Sequence, residues 1–243
     1  AVWNALKDAK HPRLQVCAPV SSVQMEYLYH KKSGAMLEDI CSAVRLCRSL
    51  CADVEFVADD ATRSEPEFLQ RVIAAASEAG ASTVTVCDTA GTMLPEEFSA
   101  FIRQLKSAVP ALEQVSLGVS CCDTLSMADA CAIAAVAQGV GEIKAAAYPV
   151  GTASLADVAR IIAARGDSFD VTTGLRVAQL SRIMGQITWM CHTDRRKTSP
   201  FDSGVRQDDS GIFLTVHDEI DAVSKAVAQL GYDLSEEDTV KVY

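Results

Sequence analysis

The sequence predicts an α/β protein made of repeated strand–loop–helix units. Two consecutive units in residues 54–98 show the pattern best. Each has a short β-branched strand, over residues 54–57 and then 83–86, followed by an acidic, hydroxyl-rich loop and a proline at a helix start. Proline suits the first helical turn because the N–H that it lacks would be unpaired there. Further strands begin near residues 115 and 143, so strand starts recur about every 30 residues.

The remaining predicted elements flank these units. A first strand is expected over residues 14–18, and residues 35–51 carry apolar side chains at helical spacing. Further helices are predicted over residues 125–137, 155–164, 175–184 and 218–230. Because the repeat has the size of one β-plus-α unit, the strands are expected to run parallel with right-handed crossovers.

Polar side chains follow each of several successive strands. This pattern helps to decide between two folds with parallel sheets, the doubly wound sheet and the (β/α)8 barrel. A doubly wound sheet places its polar site mainly at a topological switch point. A site supplied by every consecutive strand end fits an eight-stranded (β/α) barrel better. Only about five of the eight strands are visible. We therefore predict a barrel-derived portion over residues 1–172 and a small helical C-terminal subdomain over residues 173–243.

Composition narrows the classes of function. The 243 residues are 49% hydrophobic and carry a net charge of −10, which argues against nucleic acid or an anionic membrane as the main partner. No apolar run approaches the ~20 residues of a membrane span, and no signal peptide is visible at the N-terminus. The nine cysteines lack framework spacing, so we expect reduced thiols in a cytoplasmic protein.

Several motifs along the chain form a coherent set. They are Asp60-Ala61-Thr62-Arg63-Ser64, Asp88-Thr89 with Gly91, Leu94-Pro95-Glu96-Glu97-Phe98, Gly151 with Ala153-Ser154-Leu155, and Asp202-Ser203-Gly204-Val205. Together they resemble the 2-isopropylmalate synthase and homocitrate synthase family, relatives of hydroxymethylglutaryl-CoA lyase. The resemblance implies a TIM barrel in which a divalent metal holds a 2-oxo acid and acetyl-CoA is the second substrate. The metal would serve as Lewis acid and template, while a base removes the methyl proton of acetyl-CoA.

The sequence departs from the family pattern where the resemblance places the chemistry. Ser120 and Cys122 stand at the positions of two metal-binding histidines, and Thr152 replaces an asparagine ligand. Gln15 and Arg206 occupy positions where the family has histidines. The first strand of the family's barrel, which carries an aspartate ligand and an arginine, is not visible, and neither are the next two strands. Hydroxyls are poor neutral ligands and one thiolate is not a site, so we expect no bound metal.

Four residues are candidates for substrate binding, namely Asp59, Asp60, Arg63 and Thr89. For Asp59, Asp60 and Arg63 we favour the alternative that an ion pair and a helix cap hold the loop rigid. Thr89 matches a pocket threonine of the family, and a turn hydroxyl that caps the next helix explains it equally well.

Two functions are open. The chain could be an acyltransferase that condenses acetyl-CoA with a 2-oxo acid, or part of a split enzyme whose N-terminal strands come from another chain. The replaced histidines favour a degenerate homologue or subunit with little activity alone; a 2-oxo acid or an acyl-CoA remains the candidate ligand. Open sheet edges, and inward faces of Val16, Phe56 and Val84, would be covered in a homodimer or by a chain supplying the barrel front.

Overall fold

The computed structural model describes residues 2–148 and 150–192, together with residue 220. Contacts divide the chain into one unit over Ala1–Thr188 and a second over Trp189–Tyr243. The predicted division after residue 172 stays a prediction. Arg206 and the predicted helix over residues 218–230 lie outside the described part, apart from residue 220.

The first unit contains one parallel sheet of five strands in sequential order. The strands are β1 (Arg13–Pro19), β2 (Asp53–Asp59), β3 (Thr83–Asp88), β4 (Ser116–Cys121) and β5 (Glu142–Lys144). Every neighbouring pair is parallel, as the repeat length predicts. Because the five strands are parallel, their carboxyl-terminal ends, which carry the loop motifs, all lie at the same end of the sheet.

Eight α-helices accompany the strands in the described residues. They are α1 (Val2–Leu6), α2 (Ser22–Tyr27), α3 (Ser33–Leu50), α4 (Pro66–Glu78), α5 (Pro95–Ala108), α6 (Ala128–Val136), α7 (Leu155–Arg165) and α8 (Val177–His192). Pro66 and Pro95 begin their helices as predicted. None of these helices is long and apolar enough to cross a membrane.

Two predicted boundaries differ from the structure for local reasons. The helix predicted from residue 125 begins at Ala128, because Ser126 has a left-handed φ of 56° and Asp123 accepts a hydrogen bond from the Ala128 N–H at 3.0 Å. The fifth strand ends at Lys144, and Ala146 forms only an isolated bridge with Ser154. The short helix α2 was not predicted, although the Ser21 hydroxyl caps it by accepting from the Gln24 N–H.

The two faces of the sheet differ sharply in polarity. Phe56 and Val84 are fully buried in the core beneath the helices, and Val16 packs partly buried against the same core. The prediction that these three side chains face inward was therefore wrong. Alternation along a strand separates two sets of residues, but it does not say which set meets the helices. Here the helix-facing set is apolar, whereas the opposite, inward set is largely polar, with Val57 as an apolar member.

A cluster of inward charges shows how strongly the sheet curves. Arg13 on β1 donates to both carboxylate oxygens of Glu142 on β5, at 2.6 and 3.1 Å. Thr83 on β3 lies 3.4 Å from the same carboxylate. In a flat sheet four steps of about 4.8 Å would place β1 and β5 roughly 19 Å apart, too far for these side chains to meet. Convergence of side chains from alternate strands is the interior packing of a (β/α) barrel.

A second inward cluster lies one step further along the strands. The Glu55 carboxylate is buried and accepts from Thr85 Oγ1 at 2.6 Å and from Lys144 Nζ at 2.7 Å, with Gln15 Nε2 at 3.4 Å. Gly118 makes room for this cluster, because a Cβ there would lie 2.6 Å from the Thr85 hydroxyl oxygen. The buried carboxylate is thus matched by a cation and by neutral donors from three other strands.

The contact between Arg13 on β1 and Glu142 on β5, which requires a curved sheet, can be tested by its effect on stability. We expect Arg13→Met to lower the free energy of unfolding at pH 7 by about 1–2 kcal/mol, because Glu142 and Asp53 lose their shared cation. The matched control is Lys31→Met, which breaks the exposed Lys31–Asp39 pair and should cost less than about 0.5 kcal/mol.

The stability difference between wild type and Arg13→Met should depend on pH. The hydrogen bond from Arg13 holds the pKa of Glu142 below its ordinary value. A lowered folded-state pKa stabilises the protein above the unfolded value, and that contribution disappears as pH falls through the folded value. In urea unfolding, the gap between wild type and Arg13→Met should therefore close as pH drops below about 4. A gap that stays constant to pH 2 would contradict the ionic contact.

Candidate functional site

The loop after β2 is organised around the buried side chain of Asp60. Arg63 donates to both of its carboxylate oxygens, Nε at 2.7 Å and Nη2 at 2.8 Å, and Ser21 Oγ donates at 2.5 Å. Asp60 has a left-handed φ of 58°, which aspartate tolerates better than most residues. Ser21 also caps α2, so Asp60 joins the loop after β1 to the loop after β2. These contacts are the ones expected if an ion pair and a helix cap hold the loop rigid. Substrate binding by Asp60 and Arg63 stays a prediction.

Thr89 joins the loops after β2 and β3. Its hydroxyl donates to Asp59 Oδ1 at 2.6 Å and accepts from the Asp60 N–H at 2.9 Å. The structure therefore brings the four candidate residues together at one strand-end cluster. Asp88 belongs to the same region, since its buried carboxylate accepts from Thr62 Oγ1 at 2.9 Å and from the Met93 N–H at 3.3 Å.

The end of β4 and the loops after β4 and β5 carry the three positions that the resemblance assigned to metal ligands. Cys122 and Thr152 pair in an isolated antiparallel bridge. Ser120 lies on the inward side of β4, next to its register partner Cys87 on β3. Gly91, at φ 62°, lets the loop after β3 approach closely, because a Cβ there would lie 2.6 Å from the Cys122 carbonyl oxygen. The three positions are therefore neighbours at the strand ends.

Electrostatics at these strand ends disfavours thiolates. Burial, reinforced by Asp59 and Cys17, raises the pKa of Cys87 to about 12, and hydrogen bonding with Ser120 only partly opposes the rise. Burial also raises the pKa of Cys122, with Asp88 and Asp59 adding to it. A thiol must ionise to act as a nucleophile or metal ligand. Both cysteines therefore remain neutral thiols near pH 7.

The described residues do not fit the divalent metal that the resemblance implies. Among them, no group of three or more histidine, cysteine, aspartate or glutamate side chains is arranged to hold a metal ion. The nearby carboxylates are engaged within the protein: Asp59 by Thr89, Asp60 by Arg63, and Asp88 by Thr62. The remaining positions, Ser120, Cys122 and Thr152, offer two hydroxyls and a neutral thiol.

Of the inward polar side chains the sequence analysis singled out only the neutral Gln15, and it missed the charged ones. Gln15 is exposed on β1 and points to the same side as Glu55. The missed residues are Arg13, Asp53, Glu55, Glu142 and Lys144. A signal was present, because the polar residues recur at every second position within each strand.

A cavity of about 360 Å³ opens beside the loops after β4 and β5. Its lining includes Asp123, Asp129, Thr152, Ser154 and Met184. Burial raises the pKa of Asp129, against a lowering hydrogen bond from the Ser154 N–H. The cavity is acidic and belongs to the same end of the sheet as the strand-end cluster.

Comparison with known proteins identifies the family. A family model described as HMGL-like matches residues 2–187. The chain belongs to the HMGL-like family. The 2-isopropylmalate synthase of Carboxydothermus hydrogenoformans is 29% identical over 267 residues, covering 97% of this chain and 52% of the relative. The 2-isopropylmalate synthase of Clostridium kluyveri (strain ATCC 8527) is 34% identical over 195 residues, covering 77% and 38%. This member of the HMGL-like family thus spans about half the length, or less, of these curated relatives.

Solved structures confirm the barrel-derived fold of this HMGL-like chain. The HMG-CoA lyase of Brucella melitensis superposes with a TM-score of 0.62 at 16% identity, covering 76% of this chain and 69% of the lyase. The hydroxymethylglutaryl-CoA lyase of Pseudomonas aeruginosa gives 0.59 at 16% identity, covering 95% and 67%. At such low identity the likeness shows the fold alone.

Asp60 gives a test of how the strand-end cluster is held. We expect Asp60→Asn to lower the free energy of unfolding by about 2 kcal/mol, because Arg63 loses its bidentate partner while asparagine still tolerates the left-handed backbone. Asp60→Ala should lose about 1 kcal/mol more, since alanine adds backbone strain. Urea unfolding measures both. Equal losses for the two variants would show that the backbone conformation of Asp60 is not the one described.

Proposed function

We propose that this chain is a degenerate homologue within the HMGL-like family, a subunit that keeps the barrel scaffold and has little activity alone. The relatives named 2-isopropylmalate synthase support an acetyl-CoA-dependent condensation at the level of the family. In such a reaction a bound metal would polarise the carbonyl of the 2-oxo acid. This chain's own residues provide loop scaffolding at the strand ends.

One observation carries the proposal. The carboxylates of the strand-end cluster are bound to donors of the chain itself, with Asp60 held by Arg63 and Asp59 by Thr89. Ser120, Cys122 and Thr152 then add no anionic ligand near pH 7. Gln15 cannot exchange a proton near neutral pH as a histidine does. The donor set thus supports a scaffold more than a catalyst.

A second candidate function is an active acyltransferase, or part of a split enzyme completed by another chain. It is favoured by Arg63, whose guanidinium is fixed by Asp60 while 49% of the side chain is exposed. A guanidinium held in this way is pre-organised for the carboxylate of a 2-oxo acid. We further propose a cytoplasmic location, and either a homodimer or a complex with a chain that supplies the barrel front.

Metal content tests the proposal directly. We expect the purified chain to retain well under 0.1 equivalents of zinc, manganese or magnesium by elemental analysis after dialysis. Ser120→His with Cys122→His is the matched positive control, because Ser120 on β4 and Cys122 just after its end lie two residues apart and histidine is a preferred ligand. The double variant should bind cobalt(II) more tightly than wild type. About one metal ion per wild-type chain would overturn the proposal.

Catalysis is tested by release of the coenzyme A thiol from acetyl-CoA. With 2-oxoisovalerate or 2-oxoglutarate, we expect no release above the rate without protein. The matched variants are Thr89→Val, which removes the hydroxyl that contacts Asp59, and Thr172→Val, which changes an exposed threonine in the segment after α7. Turnover that is lost in Thr89→Val and kept in Thr172→Val would establish the acyltransferase instead.

A further inference from the structure

Lys144 combines an amine that solvent can reach with a carboxylate that it cannot. Lys144 is the last residue of β5, so it lies at the carboxyl end of its strand, where (β/α) folds carry their reactive side chains. Its Nζ lies 2.7 Å from Glu55 Oε2, and the side chains of Lys144 and Glu55 are 39% and 2% exposed. The amine is therefore accessible, while its partner is held inside the sheet.

Neutral polar groups on the neighbouring strands fix this pair. Gln15 Nε2 on β1 lies 3.4 Å from the same oxygen of Glu55, and Thr85 Oγ1 on β3 donates to the other oxygen at 2.6 Å. Ser120 on β4 is the register partner of Lys144. The carboxylate is thus held in one position relative to the amine by side chains from two further strands.

A primary amine beside a fixed carboxylate is the arrangement that imine formation requires. The amine attacks a carbonyl carbon only after it loses a proton, and a base must lie within hydrogen-bond reach to take that proton. Glu55 Oε2 meets this requirement. The C–N bond then forms, and the carbonyl oxygen takes a proton from the nitrogen to become a hydroxyl. Glu55 returns the first proton to this hydroxyl, which leaves as water while a C=N bond forms.

The product of this reaction keeps the charge that Glu55 needs. The iminium nitrogen retains one hydrogen and the positive charge, so the buried carboxylate still faces a charged donor. The net charge of the Lys144–Glu55 pair is the same before and after the reaction. Covalent binding therefore leaves no buried charge unpaired.

The charges around Lys144 favour an uncharged ligand. The ion pairs of the two inward clusters join two cations to three carboxylates, namely Arg13 and Lys144 to Asp53, Glu55 and Glu142. A ligand with a carboxylate of its own would add another anion to this acidic surface and be repelled. An aldehyde brings no such charge.

The thiol of Cys17 is a weak competitor for a carbonyl ligand. Burial, reinforced by Asp59 and Glu55, raises the pKa of Cys17, against the lowering effect of Lys144. The thiolate is the nucleophilic form of cysteine, and little of it is present near pH 7. The amine is therefore the nucleophile that this part of the sheet offers.

We propose that Lys144 is a covalent binding site for a small uncharged aldehyde, which it holds as an iminium ion with Glu55 as the proton carrier. This site goes beyond the proposed scaffold role, because it binds a ligand through a side chain that the scaffold role does not use. The two proposals are tested separately. Imine formation without thiol release from acetyl-CoA is compatible with both.

Reductive trapping tests the site in the full 243-residue chain. The chain is incubated with propanal and sodium cyanoborohydride at pH 7, and peptide mass spectrometry measures how fast each lysine gains a propyl group. Lys31 is the matched internal control, because it also pairs with a carboxylate, Asp39, but both side chains are exposed. Lys144 should react roughly tenfold faster than Lys31. Equal rates, or a faster Lys31, would overturn the proposal.

Glu55→Gln distinguishes a proton carrier from a simple ion pair. A carboxylate favours the charged form of a neighbouring amine, so its removal would speed the labelling of Lys144 if Glu55 only balanced charge. If Glu55 carries the proton, Glu55→Gln should slow the labelling of Lys144 roughly tenfold and leave Lys31 unchanged. Faster labelling of Lys144 in this variant would refute the role of Glu55.

Unfolding the wild-type chain gives a test that needs no variant. In urea the ratio of Lys144 to Lys31 labelling should fall to about one, because Glu55 no longer lies beside the amine. A ratio that persists in urea would show that the local sequence, and not the folded site, sets the rate, which would overturn the proposal.

Pyruvate tests the charge of the ligand. It has the same chain length as propanal and adds a carboxylate, and taking the ratio to Lys31 cancels its different intrinsic reactivity. The Lys144-to-Lys31 ratio should be roughly threefold lower with pyruvate than with propanal. A higher ratio with pyruvate would overturn the assignment of an uncharged ligand.

Discussion

The meeting of Arg13 and Glu142 across the sheet interior is the constraint on which the rest of the structure depends. Their contact joins residues 129 positions apart and brings β1 and β5 to opposite sides of one curved surface. Curvature then makes all strand ends point into a common region. At the strand ends the loops after β1, β2 and β3 hydrogen-bond to their neighbours through Ser21, Asp60, Thr89 and Asp88.

Burial of charge in this interior is tolerable because each anion has a defined partner. Glu55 is nearly inaccessible, and an isolated carboxylate there would be strongly destabilising. Lys144 and Thr85 remove that cost through short contacts. The Lys144 side chain is 39% exposed, so its cation keeps part of its hydration while it neutralises the buried carboxylate. The partial exposure of Lys144 thus helps to make the ion pair with the buried Glu55 stable.

Much of the fold could be predicted from the sequence, since repeat length, the two helix-initiating prolines and the β-branched strands are local signals. The four candidate residues of the strand-end cluster also came together as expected, because consecutive parallel strands end at one edge. Which face of each strand meets the helices could not be predicted, and Phe56 was placed on the wrong face of β2. Alternation has period two, and only packing against α3 and α4 decides which set is covered. The contacts of Glu142 depend on curvature, which no local pattern encodes.

The carboxylates at the strand ends are bound by side chains of the chain itself. A barrel that binds a divalent ion uses the ion's charge to offset clustered carboxylates. In this chain that offset at Asp60 comes from Arg63, which lies three residues further along the same loop. Thr62 and Thr89 satisfy Asp88 and Asp59 with neutral hydroxyls. The loops therefore hold their shape with donors of their own, and these side-chain contacts do not involve Ser120, Cys122 or Thr152. The contacts that define the loops and the positions that the resemblance assigns to a metal thus involve different residues, which is what the proposed scaffold role requires.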